Sequence, residues 1–445
     1  MANRKFVDLF CGAGGFSAGF ERAGFETKAG IDYADDVLET FEKNHVNGAE
    51  AIEHDISGEI LDFDVDYIIG SPPCQGFSHA AGERSVEDER NNLVFHFIRW
   101  VEELQPKFVV MENVAGIRNI SDDFLDKVEE RYDEAGYRVV DGVLNSAEYG
   151  VPQKRERYFV IGVRKDLEVS PSMPKATHKK PKNGGTRQKT LEGSMNEEKK
   201  SPVTVGEAIS DLPKPTEDGV VTLEKPAQNE YQEWVRNGET IHNHEANEPR
   251  EEDMDLVKRI PEGKMYRSSR FGDKYVQVWD LYEDKLSEEE QEALWFIARH
   301  RTRKAYKSTD KSGPDYIPID KIEAEDGVVR QLYEDGWLRR KEDYNGHKEA
   351  YDINTKSGVR PKYMRLSREN VSNTIITQSF NPREKLHPTE DRGLSLREGA
   401  RIQSFPDDFV FEGRFKEKAK QIGNAVPPLL AYKIAEHIKE LEAEV

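Results

Sequence analysis

Apolar positions in the first third of the chain switch repeatedly between two spacings. Short, nearly continuous or alternating runs occur in KFVDLF (5–10), ETKAGI (26–31), VDYIIG (65–70), KFVVME (107–112), YRVVDGVLN (137–145) and RYFVIGV (157–163). Between them, helical periodicity predicts helices over about 14–24, 35–45, 92–104 and 122–134. Strand and helix in turn imply βαβ units, hence an α/β fold with a doubly wound, Rossmann-like parallel sheet. The pattern stops near Arg164. Pro, Gly, Ser and Lys then dominate to about Val203, which reads as a loop or linker into a different domain. From there to about Tyr363 the chain is highly charged and without period or repeat. Order returns in RLSRENVSNTIITQS (365–379), LSLREGARIQSFPDDF (394–409) and QIGNAVPPLLAYKIAEHIKEL (421–441). In the last, Leu429, Leu430, Ile434, Ile438 and Leu441 recur at helical spacing behind Pro427-Pro428, a helix start.

Composition narrows the class. A length of 445 residues allows two or three domains, and 34% charged residues imply a heavily solvated surface. No run approaches the ~18 apolar residues of a membrane span, and MANRKFVDLF lacks a signal-peptide pattern, so a cytoplasmic protein is expected. Two cysteines, Cys11 and Cys74, are too few for a disulfide framework. The net charge of −20 argues against a polyanionic partner, but residues 170–196 hold six Lys/Arg against one Glu, and RHRTRKAYK (299–307) is basic with a Tyr inside it. Such patches could carry phosphate contacts or be solvated loop and helix faces.

Candidate chemistry gathers at the strand ends. DLFCGAGGF places Gly12, Gly14 and Gly15 where the first strand meets the first helix, a turn that lets backbone approach a ligand or simply packs tightly. Asp32 ends the second strand, where a carboxylate can accept both ribose hydroxyls, and Asp55 ends the third. No Lys or Arg stands near the glycine turn to meet a phosphate, so an adenosine without phosphates, S-adenosyl-L-methionine, fits better than a dinucleotide. GSPPCQGFS (70–78) sets Cys74 just past the fourth strand, aimed by two prolines. A structural thiol would sit within the apolar strand, so Cys74 reads as a nucleophile and Cys11 as packing. Glu112 follows the strand FVVM, with Asn113 able to hold it, and Arg155 and Arg157 share one face at i, i+2. These arginines could fork onto a carbonyl or phosphate oxygen, or pair with Glu112.

Taken together, FVDLFCGAGGFSAGF, GSPPCQGFS, ENV, QKRER, LREGARIQSFPDDF and QIGNAVPPLLA resemble, in order, the signature blocks of the DNA (cytosine-5)-methyltransferases. The resemblance spans Lys5 to about Val163 and about Arg365 to Leu430. It implies a catalytic domain of residues 1–175 plus 415–445 and a smaller target-recognition domain and hinge over 176–414. It further implies addition of the Cys74 thiolate to C6 of a flipped cytosine, with Glu112 at N3 and the exocyclic amine, Arg157 at O2 and Arg155 in support, and no metal. For the cofactor it implies Phe10 near the adenine, Asp32 at the ribose, Asp55 and Ile56 bordering the adenine, and Asn424 with Ala425 at the methionine end; Tyr33, Pro73 and Leu93 complete the expected set. Asp32 stands where the family usually has Glu. Segment 76–92 would close over the DNA. Double-stranded DNA is the implied partner of a monomer in the cytoplasm, at the nucleoid through its DNA, and the sequence leaves open a cognate restriction endonuclease. Transfer RNA as substrate, an inactive DNA-recognition protein and a folate-type pyrimidine methylase are the rivals, disfavoured in turn by the long central region, the intact Cys74, Glu112 and Arg157, and the glycine turn.

Overall fold

The computed structural model describes the chain apart from residues 1–3, 46–47, 74–92, 121–122, 182–198, 267–272, 301–315, 345 and 355–362. The described chain divides into two compact units. The larger comprises Met1–Ala246, Arg368–Phe380 and Leu394–Val445, and the smaller Asn247–Ser367 and Asn381–Gly393.

A seven-stranded sheet organises the larger unit. Its strands are β1 (Lys5–Leu9), β2 (Glu26–Asp32), β3 (Glu50–Glu53), β4 (Tyr67–Gly70), β5 (Phe108–Val114), β6 (Tyr137–Asn145) and β7 (Glu156–Arg164), in the order β3-β2-β1-β4-β5-β7-β6. Strands β1 to β5 are parallel, linked through helices α1 (Gly15–Arg22), α2 (Asp35–Asn44) and α3 (Leu93–Leu104). Helix α4 (Phe124–Glu134) leads into β6.

Alternation along β1 shows why both faces are covered. Phe6 meets Phe20 of α1 at 5.6 Å and Asp8 accepts from Ser17, whereas Val7 and Leu9 join a core with Phe97, Ile98, Trp100 and Val101 of α3. A strand buried on both faces must be apolar almost throughout, and β1 is, apart from Lys5 at its start and the buried Asp8.

One strand departs from the expected parallel sheet: β7 runs antiparallel to both neighbours. Only residues 146–155 separate β6 from β7, and a parallel crossover needs a dozen or more. The reversal has a consequence for chemistry. Val114, at the carboxyl end of β5, lies opposite Arg157, at the amino end of β7. The beginning of β7 therefore reaches the same sheet edge where the parallel strands finish.

The C-terminal helix α6 (Pro428–Glu442), with Pro428 in its first turn, buries Leu430, Ile434 and Ile438 completely. It packs on α1 at Gly19, where a Cβ would stand 2.4 Å from Ala431 Cβ. Helix α5 (Phe415–Asn424) precedes it. The compact division differs from the expected boundaries at 175 and 414, because residues 176–246 (where described), 368–380 and 394–414 belong with the larger unit. A buried charge cluster shows why: Arg401, wholly enclosed, donates to Asp211 at 2.5 Å and to both carboxylate oxygens of Asp407 at 2.8 and 2.7 Å. Breaking such a cluster would strand buried charge.

Candidate active site

The carboxyl edge of the sheet in the larger unit holds a cavity of about 350 Å³. Its wall contains Phe10, Gly12 and Gly15 after β1, Asp32 at the end of β2 and Tyr33 after it, Ser71, Pro72 and Pro73 after β4, Glu112 on β5, Arg155 and Arg157 at β7, and Asn424 with Ala425 at the end of α5. Cys74 follows Pro73 directly but lies outside the described residues, as do segment 76–92, nearly all of the basic run at 299–307 and most of that at 170–196.

Asp32 is set by backbone: Gly12 N–H donates to Oδ2 at 3.0 Å and Ala34 N–H to Oδ1 at 3.1 Å. Burial raises its pKa above the usual carboxylate value, against the pull of these N–H groups. Phe10 has a φ of 60° and Gly12 of 53°, so the turn after β1 bends back towards Asp32 through left-handed backbone. Gly12 has open space at its missing Cβ, as a ligand-facing glycine would. Gly14 does not line the cavity. A Cβ there would lie 2.1 Å from His45 Nε2, so this glycine is used for packing. Cys11 packs with Val37, Leu38 and Phe41, and burial pushes its thiol well up, in keeping with a structural role.

Glu112 is 7% exposed. Arg157 Nε lies 3.0 Å from its Oε1, and Ser71 hydrogen-bonds it. Burial nevertheless outweighs Arg157, Arg155 and Ser71, and holds the carboxyl above its ordinary pKa. Such a group keeps a proton to higher pH than a free glutamate, as a general acid requires. Asn113 does not hold Glu112, contrary to expectation. Its Nδ2 donates to the Pro72 carbonyl at 3.0 Å, bracing the segment that leads to Cys74.

Arg155 is almost fully enclosed and does a different job from Arg157. It donates to the carbonyls of Ile375 at 3.2 Å, Gly423 at 3.0 Å and Asn424 at 3.1 Å. Burial and the neighbouring Arg157 lower its pKa to about 9. It thus fastens the α5 terminus to the sheet and acts as a positioning residue. Gln153 extends the same seam, donating to Ile402 O at 3.1 Å and accepting from Ile375 N–H at 3.0 Å. Gln153 is the first residue of the QKRER block, but the pattern there gave it no role.

Asp55, Ile56 and Leu93 do not line the cavity. Asp55 Oδ1 accepts from the Ser57 N–H and hydroxyl at 2.9 and 2.7 Å, and Ile56 O accepts from Trp100 Nε1 at 2.9 Å. A residue the sequence reading passed over does line it: Asp8, whose Oδ2 accepts from Ser17 at 2.6 Å while Oδ1 has no partner among the described residues. Burial raises its pKa to about 8. Its signal was a lone acid among the apolar residues Phe6, Val7 and Leu9 of β1.

Among the described residues there is no cluster of three or more metal-ligating acids, histidines or cysteines, and no helix long and apolar enough to cross a membrane. A family model described as C-5 cytosine-specific DNA methylase matches residues 4–440. The chain belongs to this family. It is therefore an enzyme of a family that transfers methyl from S-adenosyl-L-methionine to C5 of cytosine in DNA. It is similar to the type II methyltransferase M.AgeI of Thalassovita gelatinovora, 30% identical over 458 residues that cover 98% of this chain and 99% of the relative. M.DdeI of Desulfomicrobium norvegicum is also 30% identical, covering 98% and 88%. A solved DNA modification methyltransferase encoded within an E. coli prophage superposes with a TM-score of 0.57 at 24% identity, covering 99% of both chains, and shares the fold.

Proposed function

We propose that this C-5 cytosine methylase acts on a cytosine turned out of duplex DNA at a specific sequence, with Cys74 as nucleophile and the donor held in the 350 Å³ cavity. The observation that carries this is the convergence of Glu112, Arg157 and the Asn113-braced Pro72–Pro73 segment on one wall of the cavity that Asp32 faces. The cavity lies within the range of small-molecule sites. Asp32 offers carboxylate oxygens to a ribose, Gly12 leaves backbone room, and Phe10 and Tyr33 offer rings to an adenine. Asn424 and Ala425, fixed by Arg155, would border the methionine end. When bound, S-adenosyl-L-methionine supplies the methyl group that C5 receives.

The residues divide the remaining work. The Cys74 thiolate forms a C–S bond at C6, and the C5=C6 electron pair moves towards C5 as Glu112 delivers its proton to N3. Arg157 holds O2 and keeps charge from building on the ring. After methylation, a base takes the C5 proton, the C5–H pair restores C5=C6 and the Cys74 thiolate leaves with the C–S pair, while N3 returns its proton to Glu112. The flipped base costs a few kcal/mol of stacking, which contacts from the segment after Cys74 would offset.

The smaller unit would read the DNA sequence. The enzyme would act as a monomer in the cytoplasm, at the nucleoid through its DNA, and the type II relatives favour a cognate restriction endonuclease as a genetic partner. Incubation with methyl-labelled donor and duplex DNA tests the proposal. Label should enter C5 of cytosine, and Cys74→Ser should abolish this while retaining donor binding. Full-rate transfer by Cys74→Ser, or transfer confined to competing RNA, would overturn it.

A further inference from the structure

Within the smaller unit, residues 288–353 follow an order that methyl transfer does not explain. Helix Glu288–His300 is followed, beyond residues 301–315, by strand Ile317–Pro318, a 3₁₀ turn at Ile319–Lys321, helix Asp326–Glu334, and strands Leu338–Tyr344 and His347–Ile353. The three strands are antiparallel, and the last lies between the other two, with Ile317 opposite Tyr351 and Leu338 opposite Ile353. One core joins them: Leu294 and Ile297 from the first helix, Val329 and Leu332 from the second, Tyr351 and Ile353 from the sheet.

The second helix ends in a cap that fixes where the hairpin starts. Gly336, at φ 80°, donates to Tyr333 O at 3.0 Å, and Trp337 N–H donates to Leu332 O at 2.8 Å, so the chain turns directly into Leu338. Helix, short strand, 3₁₀ turn, helix and hairpin in this strand order match a winged-helix arrangement, with the 3₁₀ turn at Ile319–Lys321 standing where the first helix of a helix-turn-helix would be. In helix-turn-helix proteins the second helix lies in the major groove of DNA and its side chains meet base edges.

Surface chemistry agrees with that use. Arg330, Gln331 and Tyr333 are exposed on the second helix, and Arg340, Lys341 and Lys348 on the hairpin. The Arg340 guanidinium stands 5.1 Å over the Tyr333 ring, and Lys341 Nζ 5.3 Å over Tyr344, which interleaves basic and aromatic groups. Arginine and glutamine are the side chains that fork onto guanine and adenine. Acids share this surface: Arg330 lies 3.8 Å from Asp326 and 3.6 Å from Glu349, and Arg340 lies 2.6 Å from Glu342. Exposed pairs of this kind are weak and can yield to a base or phosphate.

We infer that helix Asp326–Glu334 and the strands Leu338–Tyr344 and His347–Ile353 form the sequence-reading surface of this enzyme. Helix Asp326–Glu334 enters the major groove of duplex DNA, and the hairpin Leu338–Ile353 runs along the adjoining backbone. The inference rests on the reading of the chain as a DNA methyltransferase that recognises a duplex sequence.

The test is a map of methylated cytosines, by bisulfite sequencing, in a random-sequence duplex library treated with the full-length enzyme or with Arg330→Ala, Gln331→Ala or Arg340→Ala. All three side chains are exposed, so folding should survive. Loss of a base contact at Arg330 or Gln331 should relax the preference at one position by roughly 5- to 150-fold. Arg340→Ala should weaken binding at all sites alike and flatten its salt dependence. Wild-type site profiles and binding in all three variants would overturn this surface while leaving cytosine methylation intact. A wild-type enzyme that methylates no DNA, or only RNA, would overturn the underlying reading and this inference with it.

Discussion

Replacing Asp8 with Asn should change how stability depends on pH. In the folded chain Asp8 is 1% exposed and titrates at about 8, chiefly because burial disfavours the carboxylate. Unfolded, it should titrate near the ordinary aspartate value of 3.8. Between those values the folded state binds a proton that the unfolded state releases. Stability therefore falls as pH rises, by about 1.4 kcal/mol per pH unit, and levels off above the folded pKa. Over the whole window this is on the order of 5 kcal/mol. Asparagine keeps an oxygen for the Ser17 hydroxyl, which now donates to Asp8 Oδ2 at 2.6 Å, and carries no charge at any pH. Equilibrium urea unfolding of both proteins at pH 6, 7 and 8 isolates this effect, because every other titrating group is common to the two. The wild-type-minus-variant difference should fall by about 2–3 kcal/mol between pH 6 and pH 8. Parallel pH profiles would refute the assignment of a buried, neutral Asp8.

Other consequences can be measured separately. Glu112→Gln removes the proton donor proposed for N3 and should lower kcat by roughly 10²- to 10⁴-fold while donor affinity, read by calorimetry, stays unchanged. Arg155→Met leaves the buried carbonyls of Ile375, Gly423 and Asn424 without their donor. It should cost about 3 kcal/mol in urea unfolding and raise KM for the donor, because the α5 terminus is no longer held. Gly19→Val forces side-chain atoms into Ala431 and Pro428 of α6, where even a Cβ would lie at 2.4 Å. The expected loss is about 2–3 kcal/mol, seen as a melting point several degrees lower.

Strong periodicity made much of the sheet legible. Strands buried on both faces, such as Ile68–Ile69 and Val109–Val110, announce themselves as apolar runs, and each lies in the sheet where that pattern placed it. The direction of β7 was not announced, since an apolar strand reads alike in either sense and the length of the connection decides. Asp32 and Glu112 could be placed at the carboxyl edge because each sits at or beside a strand end, whereas Arg157, at the start of β7, reaches that edge only because the strand is antiparallel. Whether Arg157 met Glu112, or Asn113 held Glu112 or Pro72, depended on distances that no spacing encodes. Gly14 shows a further limit: a glycine in a ligand-binding turn can serve the imidazole behind it instead of the ligand in front. The smaller unit was least legible, because its strands span as few as two residues, as at Ile317–Pro318, too short for any period to register.

Trapping on duplex DNA that carries 5-fluorocytosine tests the central claim, nucleophilic addition by Cys74, most directly. The fluorine blocks the elimination that would release the enzyme, so the wild-type chain should form a stable adduct with DNA in the presence of donor, and peptide mass spectrometry should place it on Cys74. Adduct formation by Cys74→Ser, or its absence from an active wild-type enzyme, would contradict the account.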